Sequence, residues 1–417
     1  MILQPPNQRI RIKAAENVSL LDAIRFVLWL FPLGLVAAFP LAAQQSPFAA
    51  AFGDFVRADR TVGASYLVMD QGRITESQSY GMADIAMKQP VDKNTIFHWG
   101  SITKTLTAIA IMQLRDRGKL TLDDPILKYV PELARVHSEH DGISRVTIRH
   151  LLSHTAGFQE PTWPYKQGKP WEPFEPTEWS QLVAMMPYQE LAFEPGTKFQ
   201  YSNPGFIYLA RVIEAITGDP YQVYVQKNIL TPLGMTRTFY NTSPYHLAAD
   251  RADSYEIGLD DKGQETVHSF PREFDTGITT PNGGLNAPLE DLAKWISFLA
   301  GTNSAPGAVL DHKSIEEMWR PVMPITEEGW EQPVSVGLSF FLYPRGSGAG
   351  KVTFVNHSGH QAGFMALFVL NPNNGRAVIM AANSVTAWGE SPAAKKLYED
   401  AVQRYHTLLE RAMGAVR

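Results

Sequence analysis

A serine and a lysine stand three residues apart in the stretch GSITKTLTAIA, residues 100–110, whose other side chains are mostly apolar. Residues three apart lie on one face of a helix and can touch. Ser101 and Lys104 could therefore act as a nucleophile and its base. A serine hydroxyl needs such a base at neutral pH, and a lysine serves if its amine is uncharged.

Two physical effects could keep the amine of Lys104 uncharged. A free lysine has a pKa near ~10.4, and both burial and the positive end of a helix macrodipole disfavour the ammonium form. Lys104 lies one turn inside an apolar segment, where both effects are available. The same helix end favours negative charge that develops on Ser101. A Ser-x-x-Lys motif also arises about once by chance in a chain with this many serines, so the pair needs support from other residues.

Two further short motifs follow along the chain. Tyr201-Ser202-Asn203 lies in KFQYSNPGF, directly before a predicted helix, and His357-Ser358-Gly359 ends the predicted strand KVTFVNHSG. Taken singly, a tyrosine at a helix start is usually a packing residue, and a histidine at a strand end is usually a surface residue. The order of the motifs and their separations carry the information.

In this order and spacing the motifs resemble those of serine β-lactamases and penicillin-recognising D-Ala-D-Ala peptidases. The most similar branch holds class C β-lactamases, D-Ala-D-Ala carboxypeptidases, D-aminopeptidases and β-lactamase-like esterases. Other similar stretches include VTIRHLLSHTAGF and NGGLNAPLEDLAKW, and together they span about residues 60 to 385. The resemblance implies a β-lactamase/transpeptidase-like fold of the α+β class.

The resemblance implies a catalytic role for three residues. Ser101 would be the acylated nucleophile and Lys104 its base partner. Tyr201 would shuttle a proton between the serine and the leaving group, because its phenol can give and take a proton beside an amine. The implied reaction is acyl transfer through an acyl-enzyme.

The remaining implied site residues bind the substrate. Asn203 would hydrogen-bond Lys104 and the substrate amide, and Gly359 belongs to the motif that borders the substrate. The backbone N–H groups of Ser101 and His360 would form the oxyanion hole, where the loss of one donor typically costs ~3 kcal/mol.

The residue at position 357 departs from the β-lactamase pattern. β-Lactamases usually carry a lysine there, whose charge attracts the substrate carboxylate, whereas histidine is mostly neutral at pH 7. His-x-Gly is more similar to D-Ala-D-Ala peptidases and D-aminopeptidases, and esterase-like relatives also depart from Lys-Thr-Gly. We expect β-lactams or D-amino-acid peptides as substrates, with simple esters as the alternative and a non-catalytic cell-wall-binding homologue as the rival of another class. The sequence indicates no residue as a dedicated base for deacylation.

Local patterns predict the elements that must position these residues. The stretch from Gly63 to Val91 reads as a hairpin with a turn at Gln71-Gly72, and an apolar helix runs from Ser101 towards Gly118. A short helix falls in 146–158 and another in 204–220, the latter between a proline and Gly218. Late strands form an antiparallel meander, and a helix over 391–413 ends the chain. We therefore expect one mixed antiparallel sheet built from both chain ends and flanked by helices, with an inserted helical lobe.

The N-terminus predicts export. Four basic residues precede an apolar run at 26–43 that ends in small residues, as in a signal peptide, and a retained membrane anchor is the alternative. The predicted domains are thus 1–43 as leader and 44–417 as catalytic domain, with a sheet lobe at about 44–100 and 280–417 and a helical lobe at about 101–279. We expect a periplasmic or secreted protein that touches a membrane only through the leader.

Composition excludes several classes of partner and chemistry. The net charge is −5 and the chain has no cysteine, so nucleic acid is not an expected partner and thiol chemistry is excluded. His150 and His154 are spaced like metal ligands but lack an accompanying glutamate, so we expect no metal and no cofactor. The expected partner is a small-molecule or peptidoglycan-derived substrate. A proline- and aromatic-rich segment at 161–179 could line an apolar acyl pocket through Trp163, Tyr165, Trp171 and Phe174, or could be a surface loop.

Overall fold

Two long strands joined by a tight turn begin the sheet. Gln71 and Gly72 both have positive φ, at 47° and 74°, and reverse the chain between strands that carry alternating side chains. The computed structural model describes residues 46–138, 142–159, 176–260, 262–303, 309–327, 329–387, 389 and 391–417. All of these lie in one compact unit, Gln45–Arg417.

The described residues form one large sheet and two small ones. The large sheet has nine strands, each antiparallel to its neighbours, in the order β3-β2-β1-β14-β13-β12-β11-β10-β9. The small sheets have the orders β15-β6-β7 and β4-β8-β5. The strands are β1 Gly63–Asp70, β2 Arg73–Asp84, β3 Gln89–Pro90, β4 Ile96–His98, β5 Phe239–Tyr240, β6 Tyr255–Leu259, β7 Glu265–Ser269, β8 Leu285–Pro288, β9 Met323–Pro324, β10 Ser335–Val336, β11 Phe341–Arg345, β12 Val352–Gln361, β13 Phe364–Asn371, β14 Arg376–Ala382 and β15 Ser384–Thr386.

Helices cover both faces of the large sheet. Within the described ranges, none of them is both long and apolar enough to cross a membrane. The helices are α1 Pro47–Ala58, α2 Thr103–Asp116, α3 Ile148–Leu152, α4 Trp179–Met185, α5 Asn203–Thr217, α6 Tyr221–Val225, α7 Thr280–Gly283, α8 Leu289–Leu299, α9 His312–Met318 and α10 Pro392–Ala415.

The core has a layer on each side of the sheet, because alternate residues of a strand point to opposite faces. In β1, Leu67 belongs to the layer packed by α2, α5 and α8, whereas Tyr66 belongs to the layer packed by α1 and α10. Helix α2 lies deep in the first layer, and every residue from Thr103 to Leu114 is buried. A helix enclosed on all sides in this way is a rigid support for a reactive side chain.

The predicted architecture is confirmed. The hairpin, the meander from β11 to β14 and the C-terminal helix lie where the patterns place them, and strands from both chain ends join one sheet. Helix α5 begins at Asn203 and ends before Gly218, whose φ is 74°. The predicted leader and most of the segment 161–179, including the four aromatic residues named for an acyl pocket, lie outside the described residues.

Candidate active site

Ser101 lies in a tight turn at the head of the central helix. A 3-10 turn over Gly100–Ile102 continues directly into α2, so Ser101 precedes the helix by two residues. The Thr103 hydroxyl donates to the Gly100 carbonyl at 2.6 Å and accepts the Leu285 N–H at 3.0 Å. These bonds fasten the head of α2 to strand β8 and hold Ser101 at the helix N-terminus, where negative charge is favoured.

The amine of Lys104 is the hub of the site. The side chain is completely buried, and Nζ lies 3.0 Å from Ser101 Oγ. It also donates to Asn203 Oδ1 at 2.8 Å and to the backbone carbonyl of Asn282 at 2.9 Å. Ser101, Lys104 and Asn203 are therefore in direct contact, as the sequence predicts.

The types of these three partners constrain the direction of each hydrogen bond. The two carbonyl oxygens can only accept, whereas the Ser101 hydroxyl can donate. A neutral amine has two N–H groups and one lone pair. If both N–H groups are given to the carbonyls, the lone pair faces the Ser101 hydroxyl, which is the geometry that removal of a proton from serine requires.

Tyr201 and Asn203 come from the start of α5. Ser202 caps this helix, and its hydroxyl accepts the Gly205 N–H at 3.3 Å, which turns the chain into the helix. The Tyr201 ring centroid lies 4.9 Å from Lys104 Nζ. The structure therefore places the tyrosine beside the amine.

His357 is buried in β12 beside the lysine. Its Nδ1 donates to the Ser358 carbonyl at 2.7 Å, so the lone pair of the neutral ring is on Nε2, which has no hydrogen-bond partner among the described residues. Burial, and next the charge of Lys104, lowers the pKa of His357 to about 3. The ring is uncharged at neutral pH, so this position carries no cation.

Gly359 and His360 bring β12 against the serine turn. A Cβ atom on Gly359 would lie 3.0 Å from the Ser101 nitrogen, and one on Gly100 would lie 3.0 Å from the His360 nitrogen. The two backbone segments that carry the nitrogens predicted for the oxyanion hole thus approach each other at Gly100 and Gly359, where a side chain would be crowded. The His360 side chain is exposed and contacts the Tyr405 ring, so only its backbone is directed to the site.

Two contributors to the site were not predicted from the sequence. The backbone carbonyl of Asn282, in α7, accepts a hydrogen bond from Lys104, and the side-chain amide of Asn282 donates to Asn203 Oδ1 at 3.3 Å. His154, read from the sequence as part of a structural helix end, stacks on Tyr201 with ring centroids 4.5 Å apart. Both lie in stretches that resemble the family, NGGLNAPLEDLAKW and LLSHTAGF, which was the only available signal.

Two cavities border the turn that follows β12. The larger, of about 630 Å³, lies between Ser358, His360 and helix α10, and aromatic rings such as Trp330, Phe341 and Tyr405 form part of its wall. Among the described residues that line it there is no lysine or arginine. The smaller, of about 320 Å³, lies on the side of Gln361 that faces Phe274. Neither lining, as described, includes Ser101, Lys104 or Tyr201, so the two cavities lie beside the catalytic residues and do not contain them.

Comparisons with known proteins identify the family of this chain. The sequence profile of the Beta-lactamase family matches residues 48–403. Protein flp from Staphylococcus aureus (strain COL) is 26% identical over 329 residues, which cover 77% of this chain and 59% of flp. This chain thus matches less than two thirds of the length of that relative.

Solved structures share the fold. The octameric penicillin-binding protein homologue from Pyrococcus abyssi superposes with a TM-score of 0.66 at 26% identity, covering 85% of this chain and 76% of that one. A class C β-lactamase superposes with a TM-score of 0.64 at 19% identity, covering 85% and 94%. The family resemblance of the motifs is confirmed. This chain belongs to the beta-lactamase family, a family of serine hydrolases, and has the α+β fold of that family.

Proposed function

We propose that the protein is a serine acyl-hydrolase that forms an acyl-enzyme on Ser101. The observation that carries this proposal is the position of Lys104 Nζ, 3.0 Å from Ser101 Oγ and bonded otherwise to two carbonyl oxygens. When the neutral amine donates its two N–H groups to these two carbonyl oxygens, its lone pair faces the serine. A lysine with only a structural role would not need a reactive hydroxyl as its third partner.

Acylation begins when Lys104, in its neutral form, takes the proton of Ser101. The serine oxygen attacks the substrate carbonyl carbon, and the negative charge on the carbonyl oxygen is received by the N–H groups of Ser101 and His360. Tyr201 relays the proton to the leaving group as the bond to that group breaks. The product is an ester between Ser101 and the acyl group, and a water molecule then hydrolyses this ester.

The first candidate substrates are β-lactams and D-amino-acid peptides of the D-Ala-D-Ala type. Support comes from the three motifs, from the family, and from a His-x-Gly sequence similar to that of D-Ala-D-Ala peptidases and D-aminopeptidases. Both kinds of substrate carry an amide carbonyl that the serine can attack. Asn203, whose Oδ1 accepts a hydrogen bond from Lys104, would bind the amide of such a substrate.

Carboxylesters are a second candidate, favoured by the neutral state of His357. The pKa of this histidine is about 3 because of burial, so the position that is usually a lysine in β-lactamases gives no charge to a substrate carboxylate. The larger cavity also has no lysine or arginine among its described lining residues. An uncharged ester with a bulky apolar group needs neither cation.

A non-catalytic cell-wall-binding homologue is the rival from another class. The contacts of Lys104 with Ser101 and Asn203 support turnover. A protein that only binds its ligand needs a pocket, but it does not need a group that accepts a proton from the serine. Tyr201 also lies beside the same amine.

A substrate panel tests the proposal. Purified protein is incubated with nitrocefin, p-nitrophenyl butyrate and an acetylated D-Ala-D-Ala peptide, in parallel with Ser101→Ala and with Ser347→Ala as a matched control in an exposed loop. We expect hydrolysis of at least one substrate by the wild type and by Ser347→Ala, and none by Ser101→Ala. Ester turnover without β-lactam turnover selects the esterase, and penicillin labelling without turnover selects the binding protein. Equal turnover by Ser101→Ala would overturn the proposal.

We also propose that the protein is exported, to the periplasm or beyond, with a membrane-anchored form as the alternative. Support comes from the basic and apolar composition of residues 1–43. Fractionation of expressing cells, with mass determination of the recovered chain, tests this. A cytoplasmic chain that retains Met1 would contradict it.

A further inference from the structure

His154 occupies an unfavourable backbone conformation next to the site. Its φ is 55°, in the left-handed region that few residues other than glycine adopt, and only 1% of its surface is exposed. Such a conformation persists only where the surrounding contacts require it. The contacts that the side chain and the backbone of His154 make therefore indicate why this conformation is kept.

The backbone carbonyl and the imidazole of His154 both bind the segment that carries Tyr201. The carbonyl of His154 accepts the Gln200 N–H at 2.9 Å, and its Nδ1 accepts the Ser202 N–H at 3.0 Å. The two bonds hold the residues immediately before and after Tyr201. An ordinary backbone conformation at position 154 would change the relative direction of the carbonyl and the ring.

The imidazole ring also contacts the tyrosine directly. The rings of His154 and Tyr201 stack at a centroid distance of 4.5 Å with an angle of 22° between their planes. Phe206 packs against the same imidazole at 5.2 Å. The tyrosine is therefore held through its backbone and its ring by one residue.

The neutral ring is the form that makes these contacts. Because Nδ1 accepts a hydrogen bond, the proton of the neutral ring must be on Nε2. Burial is the main cause that lowers the pKa of His154 well below its usual value, and a positive charge on Lys104 or His357, whenever either is protonated, lowers it further. A protonated ring would lose its acceptor and would add a cation beside Lys104.

We infer that His154 is a positioning residue for Tyr201: it accepts the Ser202 N–H and stacks on the phenol ring, and so fixes the tyrosine beside Lys104. The inference rests on the proposed function insofar as Tyr201 relays the proton. It gives the histidine of the LLSHTAGF stretch a role that its helix-end position does not explain.

Three variants separate the two contacts. His154→Asn keeps an acceptor near the position of Nδ1 and tolerates positive φ, but it loses the ring. His154→Phe keeps a ring and loses the acceptor, and His154→Ala loses both. We expect kcat to fall about 10-fold in each of the first two and on the order of 100-fold in the third, with KM little changed, because misplacement of a catalytic group by about 1 Å has that effect. His150→Asn, four residues earlier in α3, is the matched control and should retain wild-type kcat.

A double-mutant cycle distinguishes positioning from general support of the fold. In a Tyr201→Phe background the tyrosine has no proton to relay, so His154→Ala should cause no further loss of kcat. Losses that multiply in the double variant would overturn the inference.

A spectroscopic measurement keeps the inference independent of activity. With 3-fluorotyrosine incorporated only at position 201, the wild type should give one narrow ¹⁹F resonance. His154→Ala should shift it and broaden or split it, while His150→Asn leaves it unchanged. If the wild type hydrolyses none of the substrates, the proposed function fails, and the ¹⁹F result alone decides the positioning role. An unchanged single resonance in His154→Ala would overturn that role.

Discussion

The backbone of Gly359 passes so close to the carbonyl oxygen of Trp99 that a Cβ atom on this glycine would lie 2.0 Å from the oxygen. This approach is what brings strand β12 against the serine turn. Any side chain at position 359 must push the strand and the turn apart, and the two backbone nitrogens of the oxyanion hole would separate with them.

Gly359→Ala tests this relationship. We expect kcat for acylation to fall on the order of 100-fold, because the donors no longer converge on one oxygen. A loss of thermal stability should accompany it, since the clash is with backbone and cannot be relieved by a side-chain rotation. Gly350→Ala is the control, because a Cβ there meets nothing within 4 Å. Wild-type kcat in Gly359→Ala would show that the close approach is not needed.

Asn203→Asp adds a negative charge beside Lys104, with a side chain of nearly the same shape as that of asparagine. The carboxylate would replace an amide oxygen that lies 2.8 Å from Lys104 Nζ, and it would stabilise the ammonium form. The acid limb of the kcat/KM profile should therefore move to higher pH by about one unit or more. Asn203→Ala, which adds no charge, should lower the rate without that upward movement. An unmoved limb in Asn203→Asp would contradict the role of Lys104 as base.

His357→Lys restores the cation that β-lactamases usually carry. If position 357 faces the substrate carboxylate, KM for carboxylate-bearing β-lactams should fall about 10-fold, whereas KM for uncharged p-nitrophenyl butyrate should not. Michaelis constants for both substrates, measured on wild type and variant, check this. Equal changes in the two constants would remove position 357 from carboxylate recognition.

Buried neutral histidines make the fold sensitive to acid. Burial lowers the pKa of His357 to about 3 and that of His98 to about 4, whereas an unfolded histidine titrates near ~6.5. Below about pH 6.5 the unfolded chain therefore binds more protons than the folded one, and the free energy of unfolding falls as the pH falls. Each histidine contributes on the order of 1 kcal/mol per pH unit between about pH 6 and its own folded pKa.

Denaturant unfolding at pH 7, 6, 5 and 4.5 measures that dependence. His357→Asn should reduce the loss of stability between pH 6 and 4.5, because asparagine does not titrate. His268→Asn, at an exposed position, should leave the loss unchanged. A pH dependence identical in wild type and His357→Asn would show that the histidine does not stay neutral in the fold.

Most of the fold could be predicted because its signals are local. The Gln71-Gly72 turn, the proline and glycine that bound α5, and the alternating strands of the meander each follow from neighbouring residues. The order of the nine strands rests on contacts between distant parts of the chain, which no local pattern encodes. The expectation that both chain ends share one sheet came from the strands predicted at both ends of the chain with helices between them.

The residue types alone predict the site only where side chains carry it, and the backbone N–H groups of Ser101 and His360 were expected from the family resemblance. Ser101, Lys104 and Asn203 are recognisable by type and spacing, and they are in contact. The carbonyl of Asn282 could not be predicted, because a backbone atom is the same in every residue. The part played by His154 depends on a positive φ and on a ring stack across 47 residues of sequence, which the sequence does not reveal.

The claim that Lys104 accepts the proton of Ser101 is tested most directly by rapid-quench mass spectrometry. The protein is mixed with p-nitrophenyl butyrate or a fluorescent penicillin. We expect the wild type to gain one acyl group, mapped by peptide fragmentation to Ser101, and Lys104→Met to gain none in the same time. An acyl group on another residue, or acylation of Lys104→Met at the wild-type rate, would contradict the proposed chemistry.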